Sequence, residues 1–125
     1  MDIYRDTIIE LYKTPLNKRR IEEADITHSG ANVTCGDRVR IYLKLDKAGS
    51  EGVIGDASFE GEGCAISIAM ASLLTEELKG VRVDEVLKWD QETLFDLLGT
   101  EVGATRIKCA LLPLETIQKG LTGAA

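Results

Sequence analysis

The pattern of apolar and polar positions changes character part-way along the chain. From Arg38 to Asp46 it alternates without a break, with Val39, Ile41, Leu43 and Leu45 on one side and Arg38, Arg40, Tyr42 and Lys44 on the other. A period of two describes a strand with one face buried and the other turned to solvent. Glu23 to Ser29 alternates more weakly and reads as another strand. In a third, Val53, Ala57 and Phe59 share a face. Between the last two, Lys47 to Gly52 (KAGSEG) has turn composition, so they form an antiparallel hairpin.

Helical spacing governs the rest. Asp2 to Lys13 carries Ile3, Thr7, Ile8 and Leu11 between charges, an amphipathic helix ended by Pro15 and Asn17. Ala65 to Lys79 places Ile66, Met70, Leu73, Leu74 and Leu78 on one stripe, and Gly80 sits where a helix stops. Val83 to Lys88 reads as a short helical turn. Asp90 caps a further helix through Leu98, ended by Gly99. Ile107, Leu111, Leu114, Ile117 and Leu121 mark a C-terminal helix. Proline is tolerated in a first turn but costs about 3 kcal/mol in a helix interior. Pro113 therefore predicts that this last helix begins close to Cys109. Strands first and helices second argue for an α+β fold, a three-stranded antiparallel sheet with helices packed on one face.

Composition narrows the function classes. The chain has 125 residues, enough for one domain with its own core, and no repeat or linker divides residues 1–125. A net charge of −6 argues against nucleic acid, which is held mainly by Lys and Arg. No apolar run approaches the roughly 20 residues needed to cross a bilayer. The N-terminus, MDIYRDTIIELYKT, lacks the features of a secretory signal. Three cysteines, an odd number, speak against a disulfide framework. Free thiols fit a reducing cytoplasm, where cysteine clusters serve metals or catalysis more often than crosslinks.

Cys35 precedes the strongest strand, Cys64 the strongest helix, and Cys109 lies near the start of the last helix. All three sit at the ends of elements rather than mid-stripe. The residues alone leave open whether they share one site or are separate structural thiols. Gly63 lets the backbone approach a ligand closely. A helix N-terminus favours the thiolate, which is both the sulfur nucleophile and the metal ligand. Asp37 could complete a tetrahedral set with three sulfurs, or simply cap a turn after Gly36. His28, the single histidine, reads as a solvent-facing strand residue unless its loop folds back to make it a ligand. Lys108 cannot bind metal while protonated. It could lower the pKa of the neighbouring thiol, guide an anionic persulfide, or be solvated. P-loop, dinucleotide-binding and HExxH motifs are absent from the sequence.

Tyr12–Asn17 (YKTPLN), Cys35-Gly36-Asp37, Phe59–Gly80 (FEGEGCAISIAMASLLTEELKG) and Lys108-Cys109 together resemble the NifU/IscU/SufU family of iron–sulfur cluster assembly proteins, over nearly the whole chain. The resemblance implies that Cys35, Cys64 and Cys109, with Asp37 beside them, bind zinc, iron or a [2Fe–2S] cluster. It implies sulfur delivery by a cysteine desulfurase as persulfide, with Cys109 the acceptor, and transfer of the cluster to apo-proteins or carriers. IscU-type members carry histidine where this chain has Lys108. SufU-type members, zinc-dependent sulfurtransferases, carry Arg-x-Lys-Cys, which Arg106-Ile107-Lys108-Cys109 resembles. They also carry an insertion between the second and third cysteines. Here those cysteines are 45 positions apart, the shorter IscU-like length. The resemblance thus implies a cluster scaffold, with a SufU-like sulfurtransferase as the alternative.

Overall fold

A computed structural model describes residues 3–34, 36–46, 52–99, 101–104 and 106–123. Its elements run α1 (Ile3–Lys13), β1 (Ile26–Asn32), β2 (Asp37–Leu45), β3 (Ile54–Glu62), α2 (Ala65–Leu78), α3 (Val83–Val86), α4 (Gln91–Leu98) and α5 (Ile107–Gly123). The strands form one antiparallel sheet in the order β1-β2-β3. On its inner face α5 lies against β1 and β2, α2 packs on β3 and α5, and α1 packs on α2. This is the expected α+β architecture, with helices on one face.

The alternation in β2 places Val39, Ile41 and Leu43 in the core opposite Phe59 and Ala57 of β3. Tyr42, expected at the surface, is buried, as is its cross-strand partner Ser58. Tyr42 donates its phenol O–H to Glu60 on β3, and the connection from α1 to β1 runs close by. Lys18 bridges alongside Phe59, Arg19 pairs with Asp56 on β3, and the Glu23 carbonyl accepts from Lys44 Nζ. That segment thus runs beside β3 at Lys18 and reaches Asp56 and Lys44.

Two strand expectations are corrected. β1 starts at Ile26 rather than Glu23, because it exists only where it can pair with β2, from Ile26↔Leu43 to Asn32↔Asp37. In β3 the buried partner of Ala57 and Phe59 is Ile54, not Val53. Lys44 pairs with Asp56 but Leu45 pairs with Ile54, so Gly55 is an extra residue that shifts the parity. The turn expected at 47–52 lies outside the described residues except for Gly52.

The helices form largely as expected. Gly80 and Gly99 stop α2 and α4 in the left-handed region that glycine tolerates, with φ of 84° and 79°. α2 carries more than the expected stripe: Ser67, Ile68, Ala69, Ala71, Ser72 and Thr75 are also buried, because sheet, α1 and α5 enclose it. α5 begins at Ile107, so Pro113 is not in its first turn but inside the helix.

Candidate metal centre

Asp37 opens β2, opposite Asn32 of β1, with its side chain on the inner face and only 1% exposed. A buried carboxylate is costly unless hydrogen-bonded. Its Oδ1 accepts from the Cys64 backbone N–H at 2.8 Å, and its Oδ2 accepts from Ser67 Oγ at 2.9 Å. Cys64 is the N-cap of α2, yet its own side chain makes no capping bond. Asp37, 27 positions away, does that work. It satisfies an otherwise orphaned donor and puts an acidic group at the positive end of the helix. Gly63 makes the approach possible. Its φ is 145°, and a Cβ there would fall 2.3 Å from Asp37 Oδ1 and 2.8 Å from Asp37 Cα.

The two described cysteines converge on this carboxylate. Cys64 Sγ lies 3.7 Å from Asp37 Oδ2 and 3.8 Å from Ser67 Oγ. Cys109, the third residue of α5, is 2% exposed, and its carbonyl accepts from Ser67 Oγ at 3.0 Å. The ligand atoms of Asp37, Cys64 and Cys109 all lie within 4.8 Å of one another. Tetrahedral zinc, with bonds of about 2.3 Å to sulfur and about 2.1 Å to oxygen, sets its ligand atoms roughly 3.5–3.8 Å apart. The Cys64–Asp37 distance meets this already, and the remaining closure is of the order of a side-chain rotation. Two sulfurs and a carboxylate suit zinc or iron. Cys35, the remaining expected ligand, lies outside the described residues.

His28 is corrected. It shares the inner face of β1 with Ile26, half-buried against α5, where a Cβ on Gly120 would fall 3.0 Å from the His28 Cβ. It is not in the ligand group. Lys108 is exposed beside Cys109. Ser67 went unpredicted. Its signal was a polar residue in an apolar helix, three positions after Cys64.

Two titratable groups on the outer face are shifted. Burial and a hydrogen bond to Glu60 push the Tyr42 phenol above its ordinary range. Burial alone would raise Asp56, but the Arg19 guanidinium and the Ala57 N–H outweigh it and hold the carboxyl below its usual range.

A model of the NifU-like N-terminal domain matches residues 3–123. The chain belongs to that family. It is 35% identical to the zinc-dependent sulfurtransferase SufU of Bacillus subtilis, over 95% of this chain and 89% of that protein. That alignment runs over 136 residues, more than this chain contains, so the relative carries residues this family member lacks. The chain is 36% identical to the iron–sulfur cluster assembly scaffold protein IscU of Thermotoga maritima, over 72% of this chain and 61% of that one. The fold matches a crystal structure from Fervidobacterium islandicum, described as an iron–sulfur cluster assembly scaffold protein for the SUF system. The TM-score is 0.77 and the identity 30%, over 95% of this chain and 96% of that one. Among the described residues no helix is long and apolar enough to cross a membrane.

Proposed function

We propose that this protein accepts sulfur from a cysteine desulfurase and serves as the scaffold on which a [2Fe–2S] cluster is assembled for transfer to apo-proteins or carrier proteins. The convergence of Asp37, Cys64 and Cys109 within 4.8 Å carries the reading. Cys35 completes the ligand set, and iron and sulfur are the substrates. Cys109 is the sulfur acceptor. Its thiolate attacks the terminal sulfur of the desulfurase persulfide. An S–S bond forms on Cys109, the bond to the desulfurase cysteine breaks, and the electron pair leaves with that cysteine as thiolate. This transfer is redox-neutral. Turning the persulfide sulfur into the sulfide of a cluster is a reduction. Its electrons come from oxidation of ferrous to ferric iron and, for the remainder, from a thiol reductant such as excess cysteine, which leaves as its disulfide. Lys108 supplies a cation where the anionic persulfide arrives. The protein works in the cytoplasm, where these thiols stay reduced.

A second reading, a zinc-dependent sulfurtransferase, is favoured by Lys108 directly before Cys109 and by the likeness to SufU. Cys35, Asp37, Cys64 and Cys109 would hold the zinc, which when bound keeps the thiols deprotonated. Both readings place sulfur on Cys109.

Anaerobic incubation with a desulfurase, cysteine and ferrous iron separates them. The scaffold reading expects a visible [2Fe–2S] spectrum that Cys109→Ser removes. Absence of a cluster, together with tightly bound zinc and strong stimulation of desulfurase turnover, would replace it with the sulfurtransferase reading.

A further inference from the structure

In an α-helix the N–H of residue i bonds the carbonyl of residue i−4. The helical donor for the Cys109 carbonyl would therefore come from position 113, which is proline and has no N–H. Ser67 Oγ, from the neighbouring helix α2, lies 3.0 Å from that carbonyl and 2.9 Å from Asp37 Oδ2. A side chain that is 4% exposed thus stands where the missing amide would donate, and touches the carboxylate of the same site.

We propose that Ser67 is a positioning residue for Cys109. Its hydroxyl replaces the amide that Pro113 removes and links the backbone of the sulfur acceptor to Asp37. A hydroxyl has one proton and serves one acceptor fully at a time. When a cation draws on the lone pairs of Asp37, that carboxylate competes less for the Ser67 proton. The bond to Cys109 then strengthens and the first turn of α5 is held. With the site empty the hydroxyl is shared between the two acceptors, the turn opens more often, and Cys109 can leave its buried position to meet a persulfide. Pro113 is what makes the turn adjustable, since a residue with an N–H would fix it permanently.

The inference rests on the reading above only in taking Cys109 as the acceptor, and its test uses no desulfurase. Four proteins are compared: the parent chain, Ser67→Ala, Pro113→Ala, which restores the amide, and the double variant. Alkylation of Cys109 by iodoacetamide in the metal-free state is followed by peptide mass spectrometry. Zinc affinity is measured by competition with a chromophoric chelator. Losing the bond to a buried carbonyl should open the turn more often, so Ser67→Ala should speed alkylation of Cys109 about fivefold in the parent background. With the amide restored, the same substitution should change the rate by less than about twofold. The zinc affinity lost with Ser67→Ala should persist in both backgrounds, because Asp37 loses its partner in both. If Ser67→Ala does not fold, the double variant still should, since its carbonyl has a donor again. Equal acceleration of alkylation in both backgrounds would overturn the proposal, as would no acceleration in either or failure of both variants to fold. If the coupling appears but a desulfurase places no sulfur on Cys109, the proposed function fails and this inference stands.

Discussion

Two helices of this protein begin in opposite ways. α4 is capped by its own sequence: Asp90 accepts from the N–H groups of Glu92 and Thr93, Thr93 Oγ1 accepts from the Asp90 N–H, and the group is exposed. α2 is capped from another element. Its N-cap, Cys64, leaves the task to Asp37 on β2, buried and held additionally by Ser67. A local cap stabilises one helix and leaves its N-cap side chain committed. A remote cap frees Cys64 Sγ for chemistry and fixes a carboxylate 3.7 Å from it. One arrangement thus starts the central helix and assembles the candidate metal centre, so disturbing it should damage stability and metal binding together. Disturbing α4 should damage stability alone.

Gly63→Ala should have the largest effect. The added Cβ meets both the side chain and the backbone of Asp37, at a φ that favours glycine. A loss of about 3 kcal/mol in urea unfolding, with zinc binding abolished or severely weakened, is expected. A substitution tolerated within about 0.5 kcal/mol would break the account of the close approach. Asp37→Ala comes next. It leaves the Cys64 N–H without its acceptor and takes one of two acceptors from the Ser67 hydroxyl, for a loss of about 2 kcal/mol, and zinc affinity should fall with it. Asp90→Ala removes an ordinary cap and should cost about 1 kcal/mol. Zinc affinity should not move, and a fall there would erase the contrast between the two helices.

The smallest effect concerns the outer face. The Arg19–Asp56 pair is largely solvated, so Asp56→Asn should cost at most about 0.5 kcal/mol at neutral pH. The Asp56 carboxyl is held below its usual range when folded. Its contribution is therefore complete above the unfolded carboxylate pKa and is lost as pH falls through the lower folded one. Urea midpoints of parent and variant should converge in that acidic window. A gap that persists there would show that the pair does not act through charge.

What could be read from the sequence follows the same division between local and remote. The alternation of β2, the stripes of α2 and α5, the cap Asp90 and the stops Gly80 and Gly99 are local signals, and each appears where its spacing put it. The start of β1, the parity shift at Gly55 and the burial of Tyr42 depend on what lies beside them, so periodicity misassigned all three. In the site, the family resemblance singled out Cys35, Asp37, Cys64 and Cys109, and the fold brings the three described ones, Asp37, Cys64 and Cys109, together. The residues alone left Asp37 open between a ligand and a local turn cap, because its actual partners are 27 and 30 positions away. Pro113 pointed to a helix start for a similar reason. Part of the cost of a proline inside a helix is its missing amide, and the hydroxyl that donates to the Cys109 carbonyl stands on a different helix.

Zinc K-edge absorption spectroscopy of the zinc-loaded chain, compared with Asp37→Ala, tests the shared site most directly. The account predicts sulfur ligands at about 2.3 Å and one oxygen at about 2.0–2.2 Å in the parent, with the oxygen lost or exchanged for water in the variant. A first shell without sulfur, or one identical in both proteins down to metal affinity, would contradict it.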